Sequence, residues 1–302
     1  MSNLNISRAE RLDMRVIAMY PDLTRSVASK LIEQGKVTVN GKVVQKSGHK
    51  LKPGDEIFAE YNYELMTAIP SIDIPVLYED DDCLVVNKPE GILTHSKGDF
   101  NPEATVASWL AEHLVSAGKT PLWLLEKDVE SGSPNNPRAG IVHRLDRATS
   151  GVLICAKTPG ALAHLQKQFS QRNTKKTYVA VVAGHLKPPH AIIDMPIERN
   201  PKNPKTFHVS KGGKESLTEY EVTASSDKYD MVTLRPVTGR THQLRVHMHH
   251  QGHPIVGDTF YAGPTAERLY LHALSLEITL PSSERKVFTV PLPESFNTLI
   301  SQ

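Results

Sequence analysis

An aspartate between two arginines marks the stretch of this sequence best suited to chemistry, HRLDRATSG at residues 143–151. Arg144 and Arg147 flank Asp146, and a nearby cation keeps a carboxylate ionised even when it is partly desolvated. An ionised, oriented carboxylate can act as nucleophile or base. The plain alternative is a polar turn closed by Gly151. Ser150 lacks the G-x-S-x-G elbow of a hydrolase nucleophile.

A second stretch, TGRTHQLRVHM at 238–248, carries two permanent cations, Arg240 and Arg245, either of which can fix a carboxylate or phosphate. Thr238 is a candidate helix cap, with Arg240, Thr241 and Gln243 in the opening turn reaching toward an anion. His242, His247, His249, His250 and His253 raise the question of a metal, but none stands in a recognised zinc spacing and H-E-x-x-H is absent. In a third stretch, Lys175-Lys176-Thr177-Tyr178, the tyrosine can stack on an unpaired base or carry a proton. Its plain reading is a half-buried strand residue. NKPEGILTH at 87–95 by itself says only a strand ending in a Pro/Gly turn.

These stretches sit in a chain of 302 residues, 39% apolar and 23% charged, enough for a packed core and for about two domains. No run of 18 apolar residues is present, and the first ten residues have no signal-peptide core, so a cytoplasmic location is expected. Cys83 and Cys155, each in an apolar run, read as buried reduced thiols. The net charge of +2 hides an asymmetry. Residues 8–52 hold 10 Lys/Arg against 4 Asp/Glu, and residues 161–214 hold 10 against 2. Such blocks suit contact with a polyanion, although they also occur as merely solvated faces.

The elements that must position these groups fall into two parts. Residues 8–62 predict a small αα-β unit. Leu12, Val16 and Met19 repeat at helical spacing, and a second helix runs from Thr24 as N-cap through Val27 and Leu31 to Gly35. Asn40-Gly41 then turns a hairpin. Residues 63–75, bounded by Pro70 and Pro75, read as a linker. Residues 76–302 read as an α+β domain with a mixed or antiparallel sheet. Strands are predicted at 83–86, 152–156, 178–183, 231–234 and 274–278, and helices at 106–114 and 161–169, the latter capped by Thr158 with Pro159 after it.

Taken in order, NKPEGILTH, HRLDRATSG, KTYVAVV (176–182), TGRTHQLRVH, GHPIVGDTFY (252–261) and LYLHA (269–273) resemble the RluA-type RNA pseudouridine synthases, over about residues 76–295. Residues 8–61 resemble the small RNA-binding domain of the ribosomal-protein-S4 type. Ser96 departs from the proline expected after the histidine, and the segment 127–138 is longer than usual.

The resemblance implies isomerisation of uridine to pseudouridine in RNA, with ribosomal RNA favoured over transfer RNA and with no metal and no cofactor; no membrane contact is expected from the lack of a long apolar run, and a monomer is the default expectation. It implies that Asp146 is the catalytic carboxylate, either adding covalently to sugar or uracil or removing a proton from ribose carbon 2′. Arg240 is the implied partner of Asp146, with Arg245 as second choice. Tyr178 would stack on the uracil, Leu271 would pack in the pocket wall, and Arg144 and Lys176 would contact substrate. Arg11, Arg25, Lys30 and Lys36 would contact RNA from the N-terminal domain. A decayed, non-catalytic RNA binder would lack the carboxylate, arginine or tyrosine, and all three are present. A histidine-ligated metal hydrolase is the remaining alternative.

Overall fold

The computed structural model describes residues 10–20, 25–60, 70–95, 103–119 and 140–302. The predicted cap Thr24, Ser96 and the segment 127–138 lie outside them. Two compact units result, one assigned residues 1–71 and 96–104 and the other 72–95 and 105–302.

In the first unit, β1 (Glu10–Arg11) leads into α1 (Leu12–Met19), followed by α2 (Arg25–Glu33), β2 (Val37–Val39), β3 (Lys42–Val43), β4 (Lys50–Leu51) and β5 (Ile57–Ala59). Asn40 and Gly41 both take positive φ, 53° and 74°, as the tight turn between β2 and β3 requires. Leu12, Val16, Leu31, Ile32, Val37 and Leu51 form its core.

The second unit is built on a nine-stranded mixed sheet. Its strands are β6 (Val76–Glu79), β7 (Cys83–Lys88), β8 (Ser150–Ala156), β9 (Lys175–Ala183), β10 (His190–Asp194), β13 (Leu217–Ser225), β14 (Tyr229–Pro236), β15 (Leu271–Thr279) and β16 (Arg285–Thr289). A separate two-stranded ribbon pairs β11 (Ile197–Arg199) with β12 (Phe207–Val209). The order is β10-β13-β14-β9-β15-β8-β7-β6, with β16 beside β15. Every pairing is antiparallel except β15 with β8. Helices α3 (Val106–Ser116), α4 (Pro159–Ser170), α5 (Gln243–His250) and α6 (Glu294–Ile300) complete the unit.

All seven residues of β8 are buried, because the sheet is covered on both faces. Val152 and Ile154 pack with Leu165 of α4, whereas Leu153 and Cys155 pack with Leu110 and Leu114 of α3. A strand covered on both sides reads as a continuous apolar run rather than an alternating one. Thr158 caps α4 as expected, its side chain accepting from the Ala161 N–H. Both cysteines are buried and free, and burial pushes each thiol up to about 12.

The predicted linker ends earlier than residue 75. Ile74 is 1% exposed and belongs to the core around Leu84 and Val86, and the Pro75 carbonyl accepts from Asn87 N–H. The two prolines suggested a free segment, but the isoleucines between them are covered by α3 and the sheet. Among the described residues no helix is long and apolar enough to cross a membrane.

Candidate active site

Asp146 lies on the loop that feeds β8, and its backbone is pinned from both sides. Thr94 brackets Leu145, its hydroxyl donating to the Leu145 carbonyl and accepting from the Leu145 N–H. On the other side, the fully buried Lys88 donates from Nζ to the carbonyls of Pro89, Ile92 and Arg147. Burial pushes Lys88 down to about 7, with the Asp146 charge working in the opposite direction. Gly151, at φ 119°, follows at the start of β8, where a Cβ would run into the backbone of Ala273. That close approach allows the parallel pairing of β8 with β15.

The Asp146 side chain, 16% exposed, lines a cleft of about 540 Å³. Tyr178 on β9, Leu271 at the start of β15, Lys176, Arg144 and both Arg240 and Arg245 also line it. Tyr178 is opposite Leu234 on one neighbouring strand and Ala273 on the other. Burial raises its hydroxyl above the ordinary tyrosine value, and the Asp146 charge adds to that, so it stands as a neutral phenol. Lys176 is pushed down to about 8 by burial and then by Arg172; its Nζ donates to the Thr238 carbonyl. Arg144 is exposed at the rim. Five lining residues are Lys or Arg and only Asp146 is acidic, which suits a polyanionic substrate.

The cation beside Asp146 is Arg245, not Arg240. Arg245 Nη1 donates to Asp146 Oδ2 at 3.3 Å. The Arg240 Nε donates instead to the Glu215 carbonyl at 3.0 Å. The physical reason lies at His242, which takes a left-handed φ of 57° before α5 begins. Arg240 stays on the preceding loop, and Arg245 enters on the helix. Thr238 is not a helix cap either: its hydroxyl donates to Gln243 Oε1 and accepts from Leu217 N–H. Gln243 does not reach toward an anion; its amide donates to the Leu217 carbonyl and to Thr218, and its Oε1 accepts from Thr238 and Arg240 N–H. Every hydrogen-bonding position of that buried amide is used, which fixes the loop.

Arg245 is itself held by Asp258, which the sequence reading passed over. The two form paired hydrogen bonds of 2.7 Å, and the guanidinium sits over the rings of Phe260 and Tyr261. Burial disfavours its charge, but Asp258 and Asp146 outweigh that and hold Arg245 above its ordinary value. The signal in the sequence was Asp258 directly after Gly257, a turn glycine at φ 80°. Three of the five histidines considered for a metal make hydrogen bonds within the protein. His247 bonds Thr218 and the Met195 carbonyl, His253 bonds the Ala183 carbonyl, and His242 bonds Tyr261. Ser150 is buried against His272 and Arg268 and does not line the cleft.

A family model described as RNA pseudouridylate synthase matches residues 82–250, more than half the chain and the whole of the loop that carries Asp146. The chain belongs to the RNA pseudouridylate synthase family. An S4 domain model matches residues 10–57. An uncharacterized RNA pseudouridine synthase of Aquifex aeolicus is 37% identical over 97% of this chain and 93% of its own length. A ribosomal large subunit pseudouridine synthase D of Borreliella burgdorferi is 36% identical over 97% and 89%. Among solved structures, human RNA Pseudouridylate Synthase Domain Containing 1 superposes with a TM-score of 0.57 at 28% identity, over 73% of this chain and 84% of that one. The protein is therefore an RNA pseudouridine synthase, an isomerase with an α+β catalytic unit behind an RNA-binding S4 domain.

Proposed function

We propose that this synthase modifies uridines of large-subunit ribosomal RNA, using Asp146 as its catalytic carboxylate and neither metal nor redox cofactor. The observation that carries the reading is a single ionisable acid in a basic cleft, held by one guanidinium and facing an aromatic wall. The RNA class rests on relatives named ribosomal large subunit pseudouridine synthase D. A chain engaged on ribosomal RNA works in the cytoplasm, and we take it as a monomer.

The reaction breaks the bond from ribose carbon 1′ to uracil nitrogen 1, forms one from carbon 1′ to carbon 5, and moves a proton from carbon 5 to solvent and nitrogen 1. Atoms and electrons balance within the nucleotide. Asp146 either adds to the sugar or uracil or takes the carbon 2′ proton, and in both routes it must be ionised. Arg245 serves that need, the part first expected of Arg240. Tyr178 stacks on the uracil as a neutral phenol, and its hydroxyl assists the carbon 5 proton transfer by hydrogen bonding rather than as a standing phenolate. Leu271 forms the pocket wall. Arg144 and Lys176 contact backbone phosphate and support a nucleotide extruded from its stack, an extrusion that costs about a few kcal/mol.

In the S4 domain, Arg11 and Arg25 both bond the buried Asp13 yet stay exposed, at 48% and 61%. Their remaining donors, with Lys30 and Lys36, contact the RNA backbone, which positions without reading sequence. The test is Asp146→Asn, which removes pseudouridine formation and leaves RNA affinity unchanged. Full activity in that variant ends the assignment. Mapping pseudouridines in ribosomal and transfer RNA from cells with and without the protein checks the RNA class.

A further inference from the structure

The Tyr261 hydroxyl stands between a backbone donor and an imidazole nitrogen. Tyr261 Oη accepts a hydrogen bond from the Phe207 backbone N–H at 2.9 Å. The same oxygen lies 2.8 Å from His242 Nδ1. An amide N–H can only donate, so the phenol's one proton is free to go to Nδ1, and no other acceptor among the described residues lies within its reach. A phenol that sends its proton to Nδ1 requires a bare Nδ1 and places the ring's own proton on Nε2. That nitrogen stands 3.8 Å from Asp146 Oδ2, the oxygen Arg245 already holds at 3.3 Å.

We propose that Tyr261 fixes His242 as the neutral Nε2–H tautomer and that this N–H is a second donor on Asp146 Oδ2, leaving Oδ1 for the substrate. His242 is thus a positioning residue. The ring has little freedom to turn, standing edge-on to Phe207 and Tyr261 with Phe260 also beside it. The distance of 3.8 Å shortens to a hydrogen bond when substrate closes the cleft, as catalytic contacts commonly do. Asp146 and Asp258 favour a charged imidazole, whereas Arg245, Arg144 and above all burial disfavour one, so the ring stays neutral. Since Phe207 opens β12, the β11–β12 ribbon is joined to the carboxylate through this relay.

The proposal rests on the reading of Asp146 as the catalytic acid, and its first test does not. Long-range proton–nitrogen correlation spectra of the full-length protein report which imidazole nitrogen is protonated. The His242 signal is identified among 14 histidines by its loss in His242→Gln. A bare Nδ1 and a protonated Nε2 at pH 7 are expected, with mixed tautomers in Tyr261→Phe. A proton on Nδ1 in the unaltered protein overturns the proposal.

The second test is single-turnover tritium release from a large-subunit ribosomal RNA transcript labelled at uridine carbon 5. His242→Leu is expected to slow the step by ~10–100-fold with RNA affinity nearly unchanged, the usual worth of one donor to a charged group. His242→Gln restores most of the rate, its amide N–H reaching the place of Nε2. Wild-type speed in His242→Leu, or equal losses in Leu and Gln, overturns the positioning role. An active Asp146→Asn with the Nε2–H signal intact overturns that role through the reading beneath it, and so separates the two failures.

Discussion

Arg245 donates from Nε and Nη2 to the two carboxylate oxygens of Asp258, each at 2.7 Å. Both side chains are buried, at 7% and 0% exposure, so the pair is a fixed bracket that aims an Nη1 donor at Asp146. Asp258→Ala removes the bracket and leaves a buried cation with Asp146 as its one remaining carboxylate partner. Breaking a buried pair by deleting one partner costs ~3–5 kcal/mol. Thermal melting should fall accordingly, and pseudouridine formation should drop more than RNA binding does. Asp258→Ala melting at the wild-type temperature would show that the bracket is dispensable.

Lys88 fills a different need. Its Nζ meets three carbonyls, one of them of the residue after Asp146. Lys88→Met keeps the length of the side chain and leaves those carbonyls unsatisfied, at ~1–3 kcal/mol for each that water cannot reach. The Asp146 loop should then show faster amide hydrogen exchange at residues 145–149, with slower turnover. Exchange rates equal to wild type would remove Lys88 from the account.

Gly151 tests the sheet itself. A Cβ at this position meets the Ala273 backbone, and the φ of 119° suits only glycine. Gly151→Ala must open the β8–β15 pairing, a loss of ~3 kcal/mol or more from overpacking and backbone strain together. Insoluble expression or a large drop in melting temperature is expected; a soluble protein of unchanged stability would contradict the register described here.

Asp13 gives the S4 domain an acid limit. Hydrogen bonding from Arg11, aided by Arg25 and opposed by burial, lowers its carboxyl to about 2. An unfolded aspartate titrates near ~3.9, so between the two values the unfolded chain binds more protons. The stabilisation is therefore complete above about pH 4 and is lost as pH falls through about 2. Amide exchange in α1 followed down this range should rise over that window, and Asp13→Asn should remove the dependence. A rise confined to higher pH would point to another group.

Local patterns carried most of the architecture. The apolar run at 152–156, the Thr158-Pro159 helix start and the Asn40-Gly41 turn each express a backbone preference settled within a few residues, and each formed where the sequence indicated. The order of six short segments carried the family, because their residue types serve one chemistry. Side-chain partnerships were not legible in the same way. Asp146 and Arg245 are 99 positions apart, and which of two arginines meets the acid depended on a left-handed backbone turn at His242 and on an aspartate thirteen residues further along. Ile74 left the expected linker for the same kind of reason, since a neighbouring sheet and helix were available to cover it. Spacing along the chain sets which conformations a segment prefers. Only the packing of sheet, loop and helix brings distant charges within a few ångströms, and that distance decides which of them act together.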